Sequence, residues 1–373
     1  MIFTESILLY IIEWRESYKK SRRFQKKSFW GIFFKNSFCE VIWKICKIYK
    51  TIYRILSRKT SICRILDRYS SLDEHTLLKN FEERQKSFDS EENEKLGNLV
   101  WNIYIELCMS VTIYSEWQDL LYRAGYLDSF EETNFIDAVM TSILLKKKVK
   151  YDYKSHVLSK QCLSLRYSIT CIFCIEKEKK HIMQKCLTQV EYDQNREMFQ
   201  EIWDAVIVSE RIIQNNKKNW VMIGFQGDDP STDFRSMGIF GLELLHHFVL
   251  TWNEHTRIMI SESRSNQNNI NLPWYSFALA AINILAYIIE LMNQNRLEKI
   301  FIQRYNCGIT VNDVIKQMFC CTFISFHNFW KLQVSKKNVR TVFDFECCLK
   351  RFKKKTKKNI ELGNIVTGLE CFT

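Results

Sequence analysis

The chain has 373 residues, 46% of them hydrophobic, with 54 Lys and Arg against 42 Asp and Glu and a formal charge of +12. That marks a globular chain able to bury a sizeable core, in one large domain or two smaller ones. Two prolines and ten glycines exclude many-turned β structure in favour of long helices, and fourteen cysteines without a secretory leader exclude a disulfide framework and place the chain in a reducing compartment.

From the start, Glu5 stands where a signal peptide would be basic, and the apolar run at 7–12 is short and closed by Glu13. Between residues 15 and 68, sixteen Lys and Arg face three acids, an excess larger than that of the whole chain. A second cluster, KRFKKKTKK, fills residues 350–358 and leaves the middle slightly acidic. Such patches suit anionic membranes, acidic protein surfaces or nucleic acid, and sign alone does not choose. Residues 29–58 predict an amphipathic helix: Lys44, Lys47, Lys50, Arg54 and Arg58 share one side, Val41, Ile45, Ile48, Ile52 and Ile55 another. Either it packs on a core with a solvated basic face, or it lies in an anionic lipid interface with Phe29, Trp30, Phe33 and Phe34 at the headgroups.

From about 72 to 191 the pattern is mostly helical, with charged linkers expected at 91–95 and 176–180. Residues 99–114 keep helical spacing. The stretch 157–175 is rich in β-branched residues but also reads as helix. Residues 193–214 predict a helix through Phe199, Ile202, Trp203, Val206 and Ile213. Asp229 and Pro230 read as an N-cap followed by proline at the first helical position, after which Leu242, Leu245 and Val249 continue at helical spacing. Pro273 is expected to open a helix to about residue 293. Residues 272–289 carry no charge, yet Ser276, Asn283 and the preceding Asn-rich sequence favour a buried core helix over a membrane span.

Familiar catalytic and metal signatures are missing. Cys171 and Cys174 form a lone CxxC in apolar surroundings, and Cys320/Cys321 and Cys347/Cys348 read as small apolar residues. His246 and His247 are adjacent, so on a helix they point about 100° apart and do not share a metal. No P-loop, HExxH or GxSxG occurs. Neither a metal nor a cofactor is expected, and nucleic-acid binding lacks a zinc-finger, homeodomain or stacking signature.

The most informative stretch is 220–248. Four of the ten glycines (Gly224, Gly227, Gly238, Gly241) fall within eighteen residues of it, with Pro230 between them, which predicts a tightly shaped loop entering a helix. The loop presents Gln226, Asp228, Asp229, Thr232, Asp233 and Arg235 but no His, Cys or Lys, so it supports no acid–base or nucleophilic site. An arginine's planar fork suits phosphate charge. The plainer alternative is a permanent pair between Arg235 and Asp229 or Asp233 that staples the loop.

The run Trp220, Gly224, Phe225, Gln226, Gly227, Asp229, Pro230, Thr232, Asp233, Phe234, Arg235 resembles the signature of the ELMO domain. Met237, Gly238, Gly241, Leu242 and Leu245 extend the match, as do residues 263–266, 275–283 and 329–330. Length and the basic N-terminus suit the short ELMO domain-containing (ELMOD) proteins rather than the large ELMO scaffolds that partner Dock-type exchange factors. The resemblance implies an all-α fold, and with the residue pattern the chain divides into a basic amphipathic N-terminal region over 1–70, longer than in the usual short members, a helical part over 71–190, the ELMO domain over 191–355 and a tail over 356–373. It also implies GTPase-activating activity toward ARF-family, especially ARF-like, small GTPases in the GTP form, with Arg235 as the catalytic finger. Gln226, Asp229, Thr232, Asp233, Gly224, Gly227, Pro230 and Gly238 would shape the loop or meet the partner, and Trp220 and Phe225 would anchor it. The expected setting is cytoplasmic and peripheral to intracellular membranes, with residues 29–58 on an anionic surface. One departure stands out: Ser236 occupies a position where the family usually has glycine, and a glycine needed there for positive φ would make serine a strain. That departure favours the alternative of a non-catalytic scaffold recruiting a small GTPase or exchange factor; a basic membrane- or nucleic-acid-binding protein is a third reading.

Overall fold

The computed structural model describes residues 60–70, 91–127, 129–149, 160–207 and 219–364, with positions 72 and 77; the helix expected over 29–58 lies outside the described residues. Among them every regular element is helical, as the all-α expectation requires. The α-helices are α1 (Ser61–Arg68), α2 (Glu91–Met109), α3 (Tyr114–Arg123), α4 (Ser129–Lys146), α5 (Lys160–Leu187), α6 (Arg196–Val206), α7 (Gly238–Thr251), α8 (Asn253–Ser263), α9 (Phe277–Asn293), α10 (Glu298–Tyr305), α11 (Val311–Ser335) and α12 (Phe345–Glu361). Short 3₁₀ turns occupy Trp220–Ile223, Pro230–Ser236 and Val342–Asp344. The chain divides into two compact units, one made of the residues up to Glu178 with Gln294–Thr310, the other of Lys179–Asn293 with the residues from Val311 onward.

In the first unit, the Thr60 hydroxyl accepts from the Cys63 amide at 3.4 Å to start α1, whose buried Ile62 and Leu66 face α2. The charged stretch 91–95 is no linker but the first turn of α2, where Glu91, Glu92 and Glu94 meet the positive end of the helix dipole and Glu91 pairs with Lys95 at 2.7 Å. Residues 176–180 likewise lie inside α5. With no glycine or proline to break it, a charge run stays helical. The spacing at 99–114 does break: α2 ends at Met109 and α3 begins at Tyr114. Residues 160–175 are helical despite their β-branched content, and the Ser168 and Thr170 hydroxyls fold back to the carbonyls of Ser164 and Arg166 at 2.8 and 2.9 Å.

Two polar clusters tie α4 and the residues after it to α2 and α3. The Lys147 ammonium, buried, donates to Glu106 Oε1 at 2.9 Å and Ser110 Oγ at 2.8 Å. Glu116 accepts from Lys146 at 2.5 Å, Ser142 at 2.6 Å and Ser115 at 2.9 Å. Burial works against its ionisation, but these donors outweigh it and hold the carboxyl down to about 2.

The second unit is built on aromatic packing. Phe248 of α7, Phe277 of α9 and Phe323 of α11 meet with centroids 5.0–6.3 Å apart. Of the uncharged stretch at 272–289, the residues from Phe277 onward lie in α9, which buries Phe277, Ala281, Ile284, Leu285 and Ile288 and packs on α11. No single helix among the described residues is long and apolar enough to cross a membrane. Pro273 does not open α9, which begins four residues later. The intervening backbone is held elsewhere: the Tyr275 amide donates to Ser263 O at 3.0 Å, Asn266 reaches Pro273 O at 3.2 Å, and the Ser276 hydroxyl donates to Gly224 O. The helix expected over 193–214 is α6, shorter at both ends in the described residues. Residues 192–195 form a turn before it, and Ile207 is extended.

Candidate functional site

The glycine-bearing loop is fastened to α6 by rings. Trp220 lies 5.6 Å from Phe199, 5.3 Å from Trp203 and 5.8 Å from Phe225, each edge to face, and Phe225 is 5.9 Å from Phe234. All five are at most 3% exposed, so Trp220 and Phe225 sit behind the loop as its anchor. Gly224 ends the first 3₁₀ turn at φ 95°, and a Cβ there would come within 2.5 Å of the Phe277 amide nitrogen. Only glycine permits that conformation against the start of α9.

Asp229 caps the second 3₁₀ turn, its Oδ1 accepting from the Ser231 amide at 3.0 Å and hydroxyl at 2.6 Å, with Pro230 buried at the first position. The expected N-cap and proline are both present, on a 3₁₀ rather than an α turn. Thr232 donates its hydroxyl to Asp229 O at 2.9 Å, and Arg235 Nε donates to Thr232 O at 2.8 Å. Asp233 faces the other way and accepts from the Gln226 amide at 2.8 Å. Burial pushes its carboxyl up from the ordinary aspartate value, against the pull of that amide and of the Arg235 charge.

The permanent Arg235 staple is therefore absent. Both aspartates hold loop backbone, and neither forms an ion pair with Arg235 among the described residues. Arg235 is exposed, with the Nε edge of its guanidinium held by the Thr232 carbonyl. Ser236, also exposed, closes the 3₁₀ turn and is not among the positive-φ residues, so serine strains nothing there.

Gly238 fixes the far side of the loop. Its φ is 51°, a Cβ would fall 2.4–2.7 Å from the carbonyl oxygens of Lys185, Cys186 and Thr188, and the next amide donates to Thr188 O at 3.0 Å. This contact against the C-terminal end of α5 creates a groove of about 630 Å³. One wall is the segment 186–193; the other carries Asp229, Ser231, Thr232, Phe234, Arg235 and Gly238. Of the sequence-predicted residues, Asp229, Thr232, Arg235 and Gly238 line it together. Trp220, Gly224, Phe225 and Pro230 lie buried, and Gln226 and Gly227 are outside the lining. A Cβ on Gly227 would meet nothing within 4 Å, so no packing within the chain requires glycine there. Sequence reasoning missed the opposite wall, Thr188, Gln189 and Glu191 among it, because a helix end with ordinary polar residues carries no motif.

Elsewhere, His246 Nε2 meets Glu201 and His247 contacts Thr251 at 3.3 Å. No cluster of three metal-ligating side chains gathers among the described residues.

The ELMO/CED-12 family model matches residues 180–348, which contain the loop and both walls of the groove. The chain is 30% identical over 192 residues to ELMO domain-containing protein B of Dictyostelium discoideum, covering 50% of this chain and 62% of that protein. It is 31% identical over 137 residues to ELMO domain-containing protein 2 of Mus musculus, covering 37% and 45% respectively. With ELMO domain-containing protein 1 of Mus musculus it shares 28% identity over 182 residues, 45% of this chain and 54% of the relative. The chain thus spans less than two thirds of the length of each of these three relatives. No solved structure matches it.

Proposed function

The chain belongs to the ELMO domain-containing family, and on that footing we propose that its second unit is a GTPase-activating module for an ARF-family small GTPase in the GTP form. The observation that carries the reading is the state of Arg235: exposed on the rim of a groove, oriented through Nε by the Thr232 carbonyl, and unclaimed by either neighbouring aspartate. A guanidinium held along one edge keeps its outer donors for a partner's phosphates at little further cost in side-chain order. Supplied in trans, such a group stabilises charge that develops on the transferred phosphoryl and the leaving oxygen. That contribution is about 10³–10⁵ in rate, or about 4–7 kcal/mol of barrier. The GTPase brings its own Mg²⁺ and water-positioning residue, so the role asks for no acid–base pair in this chain. Residues 29–58, outside the described residues, belong to the proposal as a contact with an anionic membrane surface on the cytoplasmic side.

The test is single-turnover GTP hydrolysis by a panel of ARF-family GTPases with the full chain and with Arg235→Lys. The lysine variant should fold as the parent does and lose about 10³-fold or more of the stimulation, because a point charge cannot replace the bidentate fork. Equal stimulation by both proteins would remove Arg235 from the reaction. Binding to a GTP-loaded partner without faster hydrolysis would select the scaffold reading, for which the Ser236 side chain, exposed beside Arg235, is the favouring feature.

A further inference from the structure

The last helix carries a surface that the Arg235 site does not use. Helix α12 has seven basic residues against two acids, and the structure sorts them by face. Inward, Cys348, Leu349, Phe352 and Ile360 are buried, with Phe352 5.4 Å from Phe326 and 5.6 Å from Phe329 on α11. Lys353 and Lys357 turn partly inward, 5.2 Å over the Tyr287 ring and 4.0 Å from Glu361, and Lys355 stands 5.7 Å over the Phe329 ring. Lys350, Arg351, Lys354, Lys355 and Lys358 remain exposed. They follow three- and four-residue steps, so they form one stripe about 12 Å long.

Both ends of the stripe are apolar. Phe343, in the 3₁₀ turn that runs directly into α12, is 75% exposed, and Leu362, one turn beyond Lys358, is 54% exposed. Within α12, steps of three or four connect Cys347, Arg351, Lys355 and Lys358, with Phe343 in the turn before them and Leu362 at the cap after them. The exposed acid among them, Glu346, is paired with Lys350 at 2.7 Å. Single exposed apolar residues are ordinary. A row of exposed cations flanked by apolar side chains suits an anionic lipid surface, while the helix's own apolar face stays packed on α11.

We propose that the outer face of α12 docks the protein on an anionic bilayer, with the five cations at the lipid phosphates and Phe343 and Leu362 in the headgroup boundary. A nucleic acid fits this face less well, because Phe352, the ring within the basic run, is buried and leaves none exposed between the cations for a base to stack on. The proposal concerns residues other than 29–58 and stands whether or not Arg235 acts on a GTPase.

Co-sedimentation of the full chain with vesicles of phosphatidylcholine, alone and mixed with phosphatidylserine, tests the proposal. Residues 29–58 are basic too, so the assay is run in the parent and in a Lys44→Gln, Lys47→Gln, Lys50→Gln, Arg54→Gln background. In both, adding Lys354→Gln, Lys355→Gln and Lys358→Gln should lower partitioning onto the mixed vesicles by roughly a hundredfold, at about fivefold per surface cation, and raised salt should mimic the loss. Phe343→Ser, at an exposed position, should weaken the binding that survives raised salt. Undiminished vesicle binding by the triple variant in both backgrounds would overturn the proposal. So would loss of oligonucleotide binding with vesicle binding intact, which would make nucleic acid the occupant.

Discussion

Asp229 supports the candidate site through hydrogen bonds to the loop's own backbone, and its effect on Arg235 is indirect. Its Oδ1 takes the amide and hydroxyl of Ser231, which sets the 3₁₀ turn whose Thr232 carbonyl then orients Arg235 Nε. Asp229→Ala removes the cap and should cost about 1 kcal/mol of stability, while Asp229→Asn, whose amide oxygen still accepts, should recover most of it. Urea denaturation of the three proteins measures both. An alanine variant as stable as the parent would mean that Pro230 and the Phe225–Phe234 ring contact define the turn without the carboxylate. The residue scale is also where the sequence was most ambiguous. Residue types at 226–235 allowed either an arginine paired permanently with its neighbouring acids or one available to a phosphate, and the hydrogen bonds exclude the pair.

Each wall of the groove belongs to a different element, and glycine sets the distance between them. Gly238 lies against three carbonyls at the end of α5, in a left-handed conformation with no space for a methyl group. Gly238→Ala should therefore cost more than the roughly 1–2 kcal/mol of the backbone conformation alone, because overpacking adds to it. Gly227→Ala, pointing into open space at an ordinary φ, should change stability by no more than about 0.5 kcal/mol. Paired denaturation curves test the contrast, and equal midpoints for the two variants would refute this account of the groove. The element scale also shows what was legible beforehand. The N-cap, the proline and the helical spacing of Leu242, Leu245 and Val249 are local signals, and local signals fixed the entry to α7. The charge run at 91–95 misled because a solvated helix face and a linker have the same composition, and the run at 176–180 because Glu176 and Lys179 are buried within α5, which composition does not show. The start of α9 misled because Pro273 is followed by backbone tied to Ser263 and Gly224, partners far away in sequence.

At the scale of the whole molecule, the two units carry their titrating groups in different pH windows. In the second, His327 is buried with Nδ1 2.7 Å from the Tyr275 hydroxyl and Nε2 2.8 Å from Glu262, which also holds Lys331 at 2.8 Å. A neutral ring satisfies this arrangement, donating to the carboxylate and accepting from tyrosine. Burial lowers the His327 pKa more than Glu262 raises it. The unfolded chain therefore takes up a proton near the ordinary value of 6.5 that the folded chain refuses. Stability is complete above that value and falls as pH drops toward the folded one. In the first unit, Glu116 is held down to about 2, so its contribution persists at mild acidity and is lost only between the ordinary glutamate value of 4.5 and about 2. Thermal melting of the full chain should thus fall between pH 7 and pH 5 with His327 as a source and Glu116 as a bystander. His327→Gln should melt lower than the parent at pH 8 yet lose less on acidification, with half-buried His247, shifted in the same direction, supplying part of the remaining slope. Glu116→Gln should melt lower at neutral pH with the slope from pH 7 to pH 5 unchanged. An unaltered slope in the His327 variant would assign the mild-acid sensitivity to other groups and leave the Tyr275–His327–Glu262 chain as a purely structural tie.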